Sequence, residues 1–269
     1  MHESAFLKGV SGTNAAPPPE GTDGWFDDIP AVTMSRALDV FTSTMASAAR
    51  LGHGWTVAHV GPRPEKLLDL YEFEACPFCR KVREMLSVLD LDAKVYPCPA
   101  GGTRFRPRAK ELGGRSMFPY LVDPNTGTAL YESDDINRYL AKTYGDGTVP
   151  LPLRLGPLTL LSSSLASGWR ATRGRRARPG RMPEQPLELY SFEVSPYSRL
   201  AREALCELEI PYVLRNVAKQ SPKREAFKAL SGKMMVPYLI DPNTGTAMFE
   251  SAEIVAYLNR TYGALPAAG

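Results

Sequence analysis

Apolar residues recur along this chain with two different periods. Between Val32 and Arg50, Met34, Leu38, Phe41, Met45 and Ala48 return at three- and four-residue steps, which predicts one face of an amphipathic helix. Gly52 and Gly54 end that pattern, and Gly61-Pro62-Arg63-Pro64 leads onward. Leu68–Phe73 then reads as a short buried strand, Cys79–Leu89 as a helix and Ala93–Tyr96 as a second strand. A basic loop and a short helix near Lys110–Leu112 follow. Tyr120–Val122 and Ala129–Tyr131 predict a hairpin, joined by Asp123-Pro-Asn-Thr-Gly127, in which Pro presets φ and Gly admits φ > 0. A last helix is expected to start with Ser133 as N-cap and to carry Ile136, Tyr139 and Leu140 on its apolar side.

The same order returns. Pro64-Glu-Lys-Leu-Leu-Asp-Leu-Tyr-Glu-Phe-Glu-Ala-Cys-Pro-Phe-Cys-Arg80 reappears as Pro183-Glu-Gln-Pro-Leu-Glu-Leu-Tyr-Ser-Phe-Glu-Val-Ser-Pro-Tyr-Ser-Arg199. Phe118-Pro-Tyr-Leu-Val-Asp-Pro-Asn-Thr-Gly-Thr-Ala129 reappears as Val236-Pro-Tyr-Leu-Ile-Asp-Pro-Asn-Thr-Gly-Thr-Ala247. Glu132-Ser133 matches Glu250-Ser251, with Ser251 the expected N-cap of the second final helix. Self-similarity of this length makes the chain two copies of one β-α-β-α-β-β-α design. Each copy is a compact unit of roughly 80 residues preceded by a helix; the second helix is expected over Leu158–Arg170.

Length and charge bound the function class. The 269 residues suffice for two domains, 43% hydrophobic and 23% charged content fits a globular protein, and a formal charge of +3 does not imply nucleic acid. No run approaches the ~20 apolar residues of a membrane span. The four cysteines are too few and too unevenly placed for a secreted disulfide framework. The acidic N-terminus suits neither a signal nor a transit peptide, so a cytoplasmic location is expected, with a plastid open if a targeting segment has been removed. Arg170, Arg173, Arg175, Arg176, Arg178 and Arg181 form a tract without interleaved aromatics. It reads as a solvated flexible linker in preference to a site for an anionic partner.

Chemistry concentrates at Cys76-Pro77-Phe78-Cys79. The motif straddles a strand-to-helix junction, where unpaired N–H groups and the helix dipole favour a thiolate at Cys76. Arg80 and Lys81 add positive charge nearby, and Cys79, one turn on, is placed to resolve a mixed disulfide. Zinc is disfavoured, because no second Cys-x-x-Cys or His-x-x-x-His supplies the remaining ligands. In the second copy Ser195 and Ser198 replace both cysteines, so that unit cannot exchange disulfides. Cys98 reads as a spare half-exposed thiol, with a regulatory role as the alternative, and Cys206 as core.

Strand, Cys-Pro-Phe-Cys, helix, Met117-Phe118-Pro119-Tyr120 and Glu132-Ser133 together resemble the glutaredoxin-like, thioredoxin-fold N-terminal domain of glutathione S-transferases. The resemblance covers both copies and implies an α/β fold of two such domains in tandem. With the Gly- and Pro-rich composition of the N-terminus, which favours a disordered arm, and the helices read from periodicity, the layout is a disordered arm over 1–30, a helix and linker over 31–63, a redox-active domain over 64–148, a helix and basic linker over 149–182, and a second domain lacking the motif cysteines over 183–269. The resemblance further implies that Pro119 and Pro237 are cis, that the Phe118 backbone pairs with the cysteinyl part of glutathione, and that Glu132 and Ser133 hold its γ-glutamyl end. Val236, Pro237, Glu250 and Ser251 are the second-domain equivalents, beside Ser195 and Ser198. The family's lysine ahead of the first cysteine is replaced here by Tyr71-Glu72-Phe73-Glu74, so the glycine carboxylate would need Arg104, Arg106 or Arg115.

The function this implies is glutathione-linked thiol–disulfide exchange at Cys76 and Cys79. Glutathione is the co-substrate, a disulfide or glutathionylated molecule the substrate, and neither metal, nucleic acid nor membrane takes part. The second domain is then structural or substrate-docking. Two alternatives stay open: a glutathione transferase centred on Ser195, and a non-catalytic scaffold.

Overall fold

The repeated pattern folds into two copies of the expected unit. In the computed structural model, which describes residues 54–154 and 173–264, the first copy comprises β1 (Leu68–Glu72), α1 (Pro77–Val88), β2 (Ala93–Pro97), α2 (Phe105–Gly113), β3 (Tyr120–Asp123), β4 (Thr128–Tyr131) and α3 (Ser133–Tyr144). A short helix α4 (Leu151–Arg154) follows. The second copy comprises β5 (Leu187–Ser191), α5 (Pro196–Glu207), β6 (Tyr212–Asn216), α6 (Arg224–Ser231), β7 (Tyr238–Asp241), β8 (Thr246–Phe249) and α7 (Ser251–Tyr262). The N-terminal arm and the helices expected over Val32–Arg50 and Leu158–Arg170 lie outside the described residues.

Three boundaries differ from the expectation. α1 starts at Pro77 because Cys76, extended at φ −79° and ψ 121°, is its N-cap, and proline suits the first turn, where its missing N–H has no partner to lose. α2 begins at Phe105, several residues early, and ends on Gly114 at φ 75°. Ser133 and Ser251 are the first helical residues and not the caps. The chain enters α3 and α7 through a left-handed residue, Glu132 at φ 63° and Glu250 at φ 67°, and neither end has a side-chain cap.

Alternation along the strands sorts side chains onto two faces. Leu68 and Leu70 of β1 face α1 and α3 in a core with Val82, Met85, Leu86, Ile136 and Leu140. Tyr71 and Tyr120 face the other way, against Phe105 and Ala109 of α2. Each fully buried leucine of this kind contributes ~1.5–3 kcal/mol. The second copy repeats the plan, and its inner face belongs to the same continuous core as the first.

That continuity comes from the sheet. Its strand order is β4-β3-β1-β2-β6-β5-β7-β8, eight strands in one sheet. β1 pairs parallel with β2 and antiparallel with β3. β2 and β6, each an edge within its own copy, pair antiparallel in the register Ala93↔Leu214, Lys94↔Val213 and Val95↔Tyr212. Lys94 and Val213 are equivalent positions of the two copies, so the pseudo-two-fold axis passes through their pairing.

Beside that seam, α1 and α5 bury a cluster of opposite charges. Arg83 donates through Nε to Glu193 at 2.9 Å, and Arg202 donates through Nε to Glu74 at 3.0 Å. Glu74 also lies 3.2 Å from Arg83, and Glu193 lies 3.1 Å from Arg202. All four side chains are buried. Desolvation costs several kcal/mol per ion, which the cross-pairing offsets only while every member is present.

The segments leading into β1 and β5 cross between the copies. Val57 N–H donates to Lys219 O at 2.8 Å before Gly61 N–H donates to Tyr144 O at 3.0 Å. Correspondingly, Ala100 N–H donates to Arg175 O at 2.6 Å, and Arg181 N–H to Tyr262 O at 2.6 Å. Residues 173–181 are therefore docked against both copies, in place of the flexible linker that their composition predicts.

Candidate active site

The thiol pair owes its geometry to the end of α1. Cys76 Sγ accepts from the Cys79 N–H at 3.3 Å and lies 3.9 Å from the Phe118 carbonyl oxygen. The Phe118–Pro119 and Val236–Pro237 bonds are cis. Both cysteines are free thiols and both are buried, while Phe78 between them is 42% exposed. The hydrogen bond from the Cys79 thiol holds the Cys76 thiol below its ordinary pKa against the upward push of burial, with help from the Cys79 and Phe78 N–H groups. Burial, and then its neighbour Cys76, pushes Cys79 well above the ordinary range. Arg80 and Lys81 contribute less than their spacing predicts. Arg80 faces Glu84 at 3.2 Å and Glu193 at 3.7 Å, and Lys81 is paired with Asp134.

Sequence reasoning missed one titratable group beneath the motif. Glu72, which reads as part of an acidic approach to the turn, is buried and paired with Arg83. Burial pushes its carboxyl up to about 7, Arg83 draws it down, and Glu74 and Glu193 push it up again. Its charge in turn raises both Cys76 and Cys79. A signal was available in the repeat. Glu72, Cys76 and Cys79 are matched by Ser191, Ser195 and Ser198, whereas Glu74, Arg80, Arg83 and Glu84 recur as Glu193, Arg199, Arg202 and Glu203.

The start of α3 is moored to α1 by the Lys81–Asp134 pair and by Asn137 Nδ2 donating to Lys81 O at 3.3 Å. This presents Glu132 in solvent and Ser133 buried at an uncapped helix N-terminus. Of the three arginines anticipated for a carboxylate, Arg104 is excluded. Its guanidinium donates to Leu208 O at 2.8 Å, to Glu209 O at 3.2 Å and to Gly180 O, because α2 abuts the second copy there. Arg106 donates through Nε to Pro99 O at 2.6 Å and Cys98 O at 3.0 Å, which leaves its terminal nitrogens beside the thiol turn, with the guanidinium 4.8 Å from the Phe118 ring centre and 5.8 Å from that of Phe73. Arg115 is exposed on the loop after α2.

At the equivalent turn of the second copy, Ser195 is the N-cap of α5. Its Oγ accepts from the Ser198 N–H at 3.2 Å and the Ser198 hydroxyl at 2.9 Å. Trp55 packs on Phe192 with ring centres 6.5 Å apart, and Lys219 lies 4.8 Å from the indole. Cys98 is fully buried, with burial pushing its thiol far up, so it is not the half-exposed thiol anticipated. Cys206 is core, its Sγ accepting from Glu74 N–H at 3.4 Å. Among the described residues no group of three His, Cys, Asp or Glu side chains is arranged for a metal, and no helix is long and apolar enough to cross a membrane.

The model of the glutathione S-transferase N-terminal domain matches residues 70–148 and again 189–266, more than half of the chain. The chain belongs to this family. In this tandem member each match spans one thioredoxin-like copy. A solved structure titled "Leishmania TDR1 - a unique trimeric glutathione transferase" is 16% identical, with 75% of this chain and 71% of that chain covered and a TM-score of 0.27. No curated protein matches the chain. Within the tandem pair, only the first domain carries thiols at its helix-capping turn.

Proposed function

We propose that this tandem family member is a glutathione-linked thiol–disulfide oxidoreductase working through Cys76. The observation that carries the reading is the placement of the thiol pair: Cys76 caps α1, accepts from the Cys79 N–H at 3.3 Å and lies 3.9 Å from the Phe118 carbonyl oxygen, a geometry that lowers the Cys76 pKa and leaves that of Cys79 raised beneath it. Cys76 thiolate attacks one sulfur of a substrate disulfide. The S–S bond breaks, the departing thiolate takes a proton from solvent, and Cys76 is left in a mixed disulfide. Cys79, on losing its proton, attacks Cys76 Sγ, releases the second thiol and leaves a Cys76–Cys79 disulfide. Two glutathione thiols reduce this by the same exchange and depart as glutathione disulfide. With a glutathionylated substrate, Cys76 takes the glutathionyl group and a second glutathione removes it, without Cys79.

In this reading the Phe118 backbone beside Pro119 aligns the cysteinyl part of glutathione. Ser133 and the uncapped N–H groups of α3 receive the γ-glutamyl carboxylate, Glu132 faces its ammonium, and Arg106 takes the glycine carboxylate. The second domain keeps Val236, Pro237, Glu250 and Ser251 but exchanges no disulfides, and serves as packing partner or substrate dock. A second reading draws on the Ser198 hydroxyl directed at Ser195 Oγ. That bond leaves the Ser195 proton available to a glutathione thiolate, as conjugation requires.

Cys76→Ser should abolish glutathione-dependent reduction of bis(2-hydroxyethyl) disulfide, and Cys79→Ser should keep deglutathionylation while losing dithiol exchange. Undiminished turnover in Cys76→Ser would overturn the proposal. Conjugation of an electrophile that survives Cys76→Ser and fails in Ser195→Ala would promote the second reading.

A further inference from the structure

The Arg-rich tract comes to the edge of the thiol turn. Gly174 O accepts from the N–H of Ala75, the residue before Cys76, at 3.4 Å. Residues 175–177 then run beside Ala100, with a parallel bridge between Ala100 and Arg176 and with Ala177 N–H donating to Ala100 O at 2.9 Å. Gly174 is required for this approach. It sits at φ +66°, and a Cβ there would fall 2.9 Å from Glu74 Cβ.

The opposite segment makes the same crossing with different residues. Thr56 bridges Lys219, and Lys219 N–H donates to Trp55 O at 2.8 Å, so Trp55 and Thr56 hold the register places of Arg175 and Arg176. Trp55 covers Phe192 beside the serine turn. Arginine takes that place beside the cysteine turn. Arg175 and Arg176 are exposed, and neither has an ion pair among the described residues. By contrast, Arg178 holds Glu207 at 2.8 Å and Arg181 holds the Thr261 carbonyl. Arg106 reaches the same rim from α2, over Phe73 and Phe118.

We propose that this rim, with Arg175 and Arg176 supplied by the second copy's leading segment, selects acidic polypeptides as the disulfide substrates of Cys76. This rests on the oxidoreductase reading above. Arg175 and Arg176, both exposed, together with Arg106 place more cationic charge along this edge than one small carboxylate needs. Phe78, 42% exposed within the motif, adds an apolar contact that a polypeptide would cover. Exposed charges of this kind act on encounter and are screened by salt.

The test compares the full chain with Arg175→Ser/Arg176→Ser and with Arg175→Lys/Arg176→Lys. The substrates are a peptide disulfide flanked by Asp and Glu, the same peptide flanked by Ser and Gln, and bis(2-hydroxyethyl) disulfide. In the serine variant kcat/KM for the acidic peptide should fall about tenfold while the hydroxyethyl substrate is unaffected. The lysine variant should retain most of the preference, and high salt should erase it. Equal rates of the unaltered protein on both peptides, or a preference that survives the serine variant, would overturn the proposal. Failure of the unaltered protein on the hydroxyethyl substrate overturns the oxidoreductase reading instead. The rim is then judged by fluorescence anisotropy of the acidic peptide with its cysteines replaced by serine. Binding lost in the serine variant supports it, and charge-independent binding overturns it.

Discussion

Glu72 adds a pH dependence of its own to the thiol site, beneath the larger effects of burial and the Cys76–Cys79 hydrogen bonds. A negative charge beside a thiol disfavours its thiolate, so ionisation of Glu72 near 7 works against Cys76 as the pH rises. Glu72→Gln should therefore shift the alkylation profile of Cys76 to lower pH, and an unchanged profile in iodoacetamide kinetics would refute this. Stability responds with a definite sign. The folded pKa of Glu72 lies above its ordinary 4.5, so the native state binds the extra proton and loses stability as pH rises from there to about 7. Glu193 is opposite. Burial pushes it up, but Arg202, Arg83 and Arg80 hold it at about 2, and its stabilisation, complete above 4.5, is lost as pH falls toward that value. Cys76 and Cys79 were legible in the sequence because their spacing alone carries chemistry. Glu72 was not, because the charges that act on it include Glu193 and Arg202, far away in the chain.

At the scale of elements, one aspartate locks the hairpin to the final helix in each copy. Asp123 accepts from the Tyr139 and Tyr144 hydroxyls, each at 2.6 Å, and from Asn125 N–H at 2.8 Å. Asp241 receives Tyr257, Tyr262 and Asn243 in the same way. Burial alone would raise Asp123, yet the tyrosine and asparagine hydrogen bonds hold it below 3.8. Its contribution is present above that value and is lost as pH falls below it. Tyr144→Phe should destabilise the fold by about 1–2 kcal/mol in urea unfolding, and a neutral result would show that the lock contributes nothing. The turn itself was legible, since Asp-Pro-Asn-Thr-Gly dictates its backbone. The start of α3 was misplaced by one residue because its entry uses a left-handed glutamate, where sequence rules look for glycine or a polar cap.

For the whole molecule, the repeat was visible in the sequence but the seam was not. Nothing in the spacing of Glu74, Arg83, Glu193 and Arg202 marks them as buried, and only the fold reveals that they complement one another across two domains. The cluster makes the domains one thermodynamic unit. Arg202→Met should leave Glu74 without its bidentate partner and cost ~3–5 kcal/mol. The loss should appear in one unfolding transition reported by both halves, and two separate transitions, one unshifted, would contradict it.

The axis through Lys94 and Val213 also decides which pairings the two halves tolerate. Two first domains joined along the same edge would set Lys94 against its own copy, a like-charge contact that strands resist. Within the buried cluster, the first domain brings Glu72, Glu74 and Glu84 against Arg80 and Arg83, so such a pair would hold two acids in excess. The second domain, with Glu193 and Glu203 against Arg199 and Arg202, is balanced and presents a neutral valine at the axis. The mixed pair leaves a single surplus acid, and protonation of Glu72 removes it. The half bearing the thiols is thus the poor partner for itself, and covalent tandem linkage keeps its better complement always at hand.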